Sequence, residues 1–233
     1  MGKLDFKNRK FVIPVLSVLF VLCVTVGSTF AILGGVIGER RNVFTPAENI
    51  RAILTEPNWD AAEGLKLVPG KIIRKDPMIT NTGKTDEYVA IRLTFLDKND
   101  APISNTNLVK LLNLLEITWS DQWTLCSGTL TTAAGKITAV TQPLVFYYQD
   151  ILATANVSDP VFSSIRVKDK YDGSLTEADL RWLQGIFIDG DGNIIPDPGG
   201  VGNFSIKVEG AAVQAVGFAN AADAANTLKS MFP

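Results

Sequence analysis

The 233-residue chain contains no histidine. That absence removes imidazole general bases, His-containing catalytic triads and His-ligated metal centres together. Cysteine is nearly absent too: Cys23 lies in the hydrophobic N-terminal run and Cys126 far downstream. If the first is lost on export, no internal disulfide can form, and Cys126 reads as a buried small hydrophobe rather than a reactive thiol. Charge of one sign is also lacking, with a formal net charge of −2. The tip, with Lys3, Lys7, Arg9 and Lys10 against Asp5, carries a surplus of three positive charges, so the rest of the chain is mildly acidic. This argues against nucleic acid as a partner, because phosphate contacts need a basic surface.

A long uncharged run, Phe11–Gly38, follows the basic tip and ends at Glu39. The pattern is that of an export signal, and its small-residue end, Gly27-Ser28-Thr29-Phe30-Ala31, offers a cleavage point after Ala31. The competing reading is an uncleaved anchor, since roughly 20 apolar residues span a bilayer. Both readings place the chain after Glu39 outside the cytoplasm, secreted or at the cell surface, with membrane contact only through the N-terminal segment. Three parts result: a signal peptide at 1–31, an extended N-terminal segment at 32–49, and a folded region at 50–233.

The remainder reads as strands separated by turns. Val68–Phe95 is the best-patterned stretch. Lys71–Thr80 reads as one strand with Asp76-Pro77 inside it, which implies a sheet edge or bulge. After Asn81-Thr82-Gly83, Val89, Ile91, Leu93 and Phe95 alternate with Tyr88, Ala90, Arg92 and Thr94, the mark of a half-buried antiparallel strand. Further strands are expected at Ile50–Thr55, Glu116–Cys126, Leu144–Gln149, Val161–Lys168, Gln184–Asp189 and Phe204–Gln214, with Ser127–Gly135 as a loop. Helices are expected at Asn107–Leu115 after a Ser104–Thr106 cap and within Asp172–Leu183, where Ser174 and Glu177 have capping-box spacing. An alanine-rich helix capped by Asn220 closes the chain. About eight strands with decorating helices predict an all-β protein, a two-sheet antiparallel sandwich.

Few residues offer chemistry. Asp189, Asp191, Asn193 and Asp197 resemble the start of a calcium loop, but Ile194 stands where an EF-hand needs glycine and Gly200 where it needs glutamate. A hairpin turn explains the same cluster without metal. Asp76, Asp86, Glu87, Asp97 and Asp100 are read as solvated charges at strand ends and turns rather than an acid/base pair. Trp59, Trp119, Trp123 and Trp182 read as packing residues rather than a sugar-stacking platform. Asn156 and Asn203 head N-glycosylation-like triplets that are read as chance. Neither a catalytic residue nor a cofactor emerges from this inventory.

Five pieces in fixed order resemble the camelysin/TasA-like family of exported biofilm-matrix fibre subunits of Gram-positive bacteria. They are the Gly27–Ala31 signal end; Leu54-Thr55-Glu56-Pro57 with Trp59-Asp60; Val68-Pro69-Gly70; Lys75-Asp76-Pro77 with Thr80-Asn81-Thr82-Gly83; and Ala212-Val213-Gln214-Ala215 with Gly217-Phe218. The chain departs from the family at Ile32–Gly38, which prolongs the apolar run where a polar, aromatic-rich start is usual. The resemblance implies a jelly-roll sandwich, processed by a dedicated export signal peptidase and polymerised head-to-tail with itself. Its filaments would grow by donor-strand addition, here through a segment containing Ile32, Val36, Ile37, Val43 and Phe44. An extended segment and an open sheet edge make that physically reasonable, since unpaired strand edges template other chains. A monomeric adhesin is the alternative. A camelysin-like metalloprotease, which some relatives are labelled, lacks zinc ligands here because the chain has no histidine and no HExxH.

Overall fold

The computed structural model describes residues 34–37, 50–64, 68–169, 174–188, 193–197 and 199–233. Gly34–Pro233 forms one compact unit. Its architecture is mostly β, with antiparallel sheets and short helices.

The largest sheet has five strands in the order β1-β12-β5-β8-β7: β1 Gly34–Ile37, β12 Ser205–Gln214, β5 Glu87–Leu96, β8 Lys136–Tyr148 and β7 Trp123–Ala133. A three-stranded sheet runs β3 (Ile72–Arg74), β9 (Phe162–Val167), β6 (Leu115–Trp119). Two ribbons complete the set, β2 (Ala52–Thr55) with β4 (Met78–Asn81) and β10 (Ile186–Ile188) with β11 (Ile194–Pro196). The helical segments are α1 Ala61–Gly64, α2 Asn105–Leu114, α3 Glu177–Gln184 and α4 Ala221–Ser230.

Strand β5 explains how the molecule holds together. Val89, Ile91, Leu93 and Phe95 point into the main core and are fully buried. They share that core with Leu108 and Leu111 of α2, Leu144 and Phe146 of β8, and Phe162 and Ile165 of β9. Trp119 of β6 stacks on Phe146 at 5.4 Å and meets Phe162 edge-on at 5.5 Å, joining the five-stranded sheet to the three-stranded one. The other face of β5 is covered as well. Tyr88 and Ala90, with Ala211 and Val213 of β12, lie under Ala221, Ala224 and Leu228 of α4. Alanine on both surfaces lets helix and sheet approach closely. The half-buried strand expected from alternation is therefore buried on both faces, because α4 supplies a lid from more than a hundred residues away in sequence.

The expected single strand at Lys71–Thr80 is two. Pro77 cannot donate to a ladder, and the chain leaves the three-stranded sheet after Arg74 and enters the β2–β4 ribbon at Met78. The stretch expected as one strand from Glu116 to Cys126 also divides, at the turn Ser120-Asp121-Gln122, into β6 and the start of β7. The expected loop Ser127–Gly135 is instead the outer part of β7, paired with β8 through a two-residue turn in which Ala134 and Gly135 have φ of 49° and 74°. Helix α3 is capped by Thr176 with Asp179, whose side chains and backbone N–H groups satisfy one another, not by Ser174 with Glu177. The caps expected elsewhere are present: Ser104 Oγ accepts from Asn107 N, and Asn220 Oδ1 accepts from Asp223 N. Among the described residues no helix is long and apolar enough to cross a membrane.

Candidate functional site: the N-terminal strand and its junction

Strand β1 is the last part of the uncharged run Phe11–Gly38. It pairs antiparallel with β12, Gly34 opposite Val213 and Ile37 opposite Gly210. Val36 lies opposite Ala211. Among the described residues β1 is thus the outermost strand of the five-stranded sheet, paired along the edge that faces β12. Ile32, Val43 and Phe44, with Ala31 at the expected cleavage point, fall outside the described residues.

The chain re-enters the described body at Ile50, which is buried, and Arg51. A buried polar knot receives it there. The Arg51 N–H donates to Glu87 Oε1 at 2.9 Å, and Arg51 O accepts from the Thr82 N–H at 2.7 Å. Glu87 is the first residue of β5; it stands opposite Gln214 of β12, one step beyond the Gly34–Val213 pair, and exchanges two backbone bonds with Leu152. Asn81 ties the knot from the other side. Its Nδ2 donates to Thr85 O and Leu152 O, its Oδ1 accepts from the Gly83 N–H, and its backbone bridges Ala155 and Asn156. The Asn-Thr-Gly turn seen in the sequence is therefore held by side-chain bonds rather than by a tight hairpin.

Glu87 is the unusual member. It is fully buried, and its Oε2 has no hydrogen-bond partner. Burial raises its pKa from the ordinary carboxylate range to about 7, opposed by the hydrogen bond from Arg51 N–H. Reading the five carboxylates of this region as solvated is wrong for two of them. Asp76 is buried as well, its carboxylate accepting from the Asn58 N–H at 3.0 Å and Asn58 Nδ2 at 2.7 Å. Asp97 does sit in a turn, where N–H groups of Ala101 and Asn99 hold its carboxyl below the usual range. The sequence carried a signal for Glu87: it shares the odd-numbered parity of Val89, Ile91, Leu93 and Phe95, so alternation aims it at the core face.

A second polar contact joins two of the sequence motifs. Lys75, largely buried, reaches Glu56 at 2.6 Å and lies 4.6 Å above the Trp59 ring. With the Asn58–Asp76 bonds, it fastens Glu56–Trp59 onto Lys75-Asp76-Pro77.

The remaining candidates disperse. Asp189 and Asp191 lie outside the described residues. Asp197 Oδ1 accepts from the Gly199 N–H, while its own N–H donates to Gly185 O at the end of α3. Among the described residues no three His, Cys, Asp or Glu side chains are grouped to hold a metal ion. The tryptophans pack separately: Trp123 Nε1 donates to Asp159 O and Trp182 Nε1 to Gly199 O. Cys126, expected to be buried, is half-buried against the α4 side of the sheet, where burial pushes its thiol pKa up.

The described body is mostly β, with antiparallel sheets and short helices. Comparison with family models, characterised proteins and solved structures finds no match for this chain.

Proposed function

We propose that this protein is a secreted structural subunit that assembles into extracellular filaments by passing its N-terminal segment to a neighbouring copy. The observation that carries this is the β1–β12 pairing. A four-residue strand from the segment after the signal occupies a sheet edge by backbone bonds, separated from the next described residue by 38–49. The same edge in a second copy presents the same N–H and C=O groups, so exchange of β1 between copies needs no new contact type. The contact is head-to-tail and need not close, which builds a fibre.

The resemblance to camelysin/TasA-like subunits supports the same reading. Under it, the five-stranded sheet and the smaller sheets across the shared core form a jelly-roll sandwich, released after Ala31 by an export signal peptidase. The protein then acts without catalytic residues or cofactor, its partner being itself, as part of an extracellular matrix.

A second reading is favoured by the fact that β1 pairs within its own chain. A self-complemented edge suits a monomeric cell-surface adhesin. Electron microscopy of the mature protein separates them, with filaments supporting the subunit and persistent monomers the adhesin. Deleting residues 32–49 tests the donor strand itself: a folded monomer that no longer polymerises is expected, and filaments from the deletion overturn it.

A further inference from the structure

We propose that Glu87 is a proton-operated latch on the root of the N-terminal segment, closed when its carboxyl is neutral and opened when the carboxylate forms. The proposal deepens the filament reading and rests on it only for its consequence, namely when β1 is free to change partners.

The geometry is specific. The N-terminal segment is anchored to the body at Ile50-Arg51, and the Arg51 N–H terminates on Glu87 Oε1. The carboxyl has no access to solvent and its second oxygen is orphaned. A buried carboxylate needs several donors to offset the loss of water, and one backbone N–H is too few. Among the described residues the elements around it supply no counter-charge. The charged residues on them are Arg51 on the incoming segment, Lys84 and Asp86 before β5, and Asp150 before Leu152, and β12 presents uncharged Gln214. All four charged side chains belong to exposed residues, and Arg51 alone bonds to Glu87, through its backbone. Asp86 instead takes the Thr154 N–H.

When the proton leaves for solvent, the cheapest relief is to admit water to Oε2. Ile50-Arg51 lies outside any strand and is seated by the Arg51–Glu87 bond and the Thr82 bonds to Arg51 O. Strand β5 cannot yield, because it is paired along β12 and β8. Ionisation therefore loosens the root of the segment and leaves the sheet intact. The burial that raises the Glu87 pKa places this transition near neutral pH.

Amide hydrogen exchange on the full mature protein, corrected for the intrinsic pH dependence of exchange, tests the latch. Protection at Arg51 and Thr82 is expected to fall roughly tenfold or more between pH 5.5 and 8.5, while Ile91 and Val208 stay protected, as one pKa unit corresponds to tenfold. Glu87→Gln keeps the shape without a charge and should flatten the profile. Wild-type protection that does not change with pH, or a Glu87→Gln profile that still falls, overturns the proposal. Should Glu87→Gln not fold, the carboxyl carbon resonance of Glu87 in the wild type decides: titration near pH 7 supports the latch, and titration near 4.5 removes it. A working latch in a protein that never forms filaments at any pH leaves this inference standing and removes the filament reading.

Discussion

Two buried charged residues set the local physics, and each has a measurable consequence. Glu87 has a folded-state pKa raised to about 7 against an ordinary value of 4.5. The unfolded chain releases the proton more readily, so the stability that Glu87 contributes is fully present below about pH 4.5 and is lost progressively as pH rises to about 7. The loss attributable to Glu87 is about 3 kcal/mol at most. Denaturant titrations across this range should show the decline in wild type and a flatter curve for Glu87→Gln. Lys75 behaves differently, because its partner is present at 2.6 Å. Lys75→Ala would leave Glu56 without its cation and Trp59 uncovered, costing about 2 kcal/mol in urea unfolding. The parity of Glu87 was visible in the sequence. The lack of a second donor was not, since it depends on which backbone groups the fold brings beside it.

Strands with unbroken alternation were legible, and those interrupted by turn-forming residues were misread. β5 and β12 emerge close to their expected limits because ten residues of compatible pattern pair directly, Ser205 opposite Leu96 through Gln214 opposite Glu87. Ser127–Gly135 looked like a loop because of its Ser, Thr and Gly content, yet Gly128 lies inside β7. It has φ of 82°, and a Cβ there would stand 2.5 Å from Thr141 O and 2.6 Å from Pro143 O. Gly128→Ala is therefore expected to destabilise by about 1–3 kcal/mol, read as a lower denaturation midpoint. Helix α4 was legible from its cap, whose side chain accepts from Asp223 N. Asn220→Ala should cost about 1 kcal/mol and loosen the lid over Tyr88 and Ala90.

At the scale of the whole molecule, the two faces of the five-stranded sheet do different work. One builds the main core with the three-stranded sheet and α2, and the other carries α4 and the closing residues. Arg92 on that second face bonds to Glu209 Oε2 at 2.6 Å and lies 5.1 Å from the Phe232 ring, fixing the end of α4 against the sheet. The N-terminal strand adds to the sheet edge by its pairing with β12. Under the filament proposal, removal of residues 32–49 should change the thermal midpoint little while abolishing assembly, checked by calorimetry beside electron microscopy. A core change such as Ile91→Ala should instead cost about 2–5 kcal/mol of stability.

The sequence by itself determined the β-rich character, the caps at Ser104 and Asn220, and the exclusion of histidine chemistry, because these depend on residue type and near-neighbour spacing. Tertiary structure alone decided that β5 is covered on both faces and that Lys71–Thr80 serves two sheets. It also decided that the Glu87 carboxyl accepts from the Arg51 N–H while its Oε2 has no partner, and that β12 is the edge on which β1 lies. Each of these depends on groups distant in the chain arriving at one place. Alternation says which side chains turn inward, but only packing says what they find there.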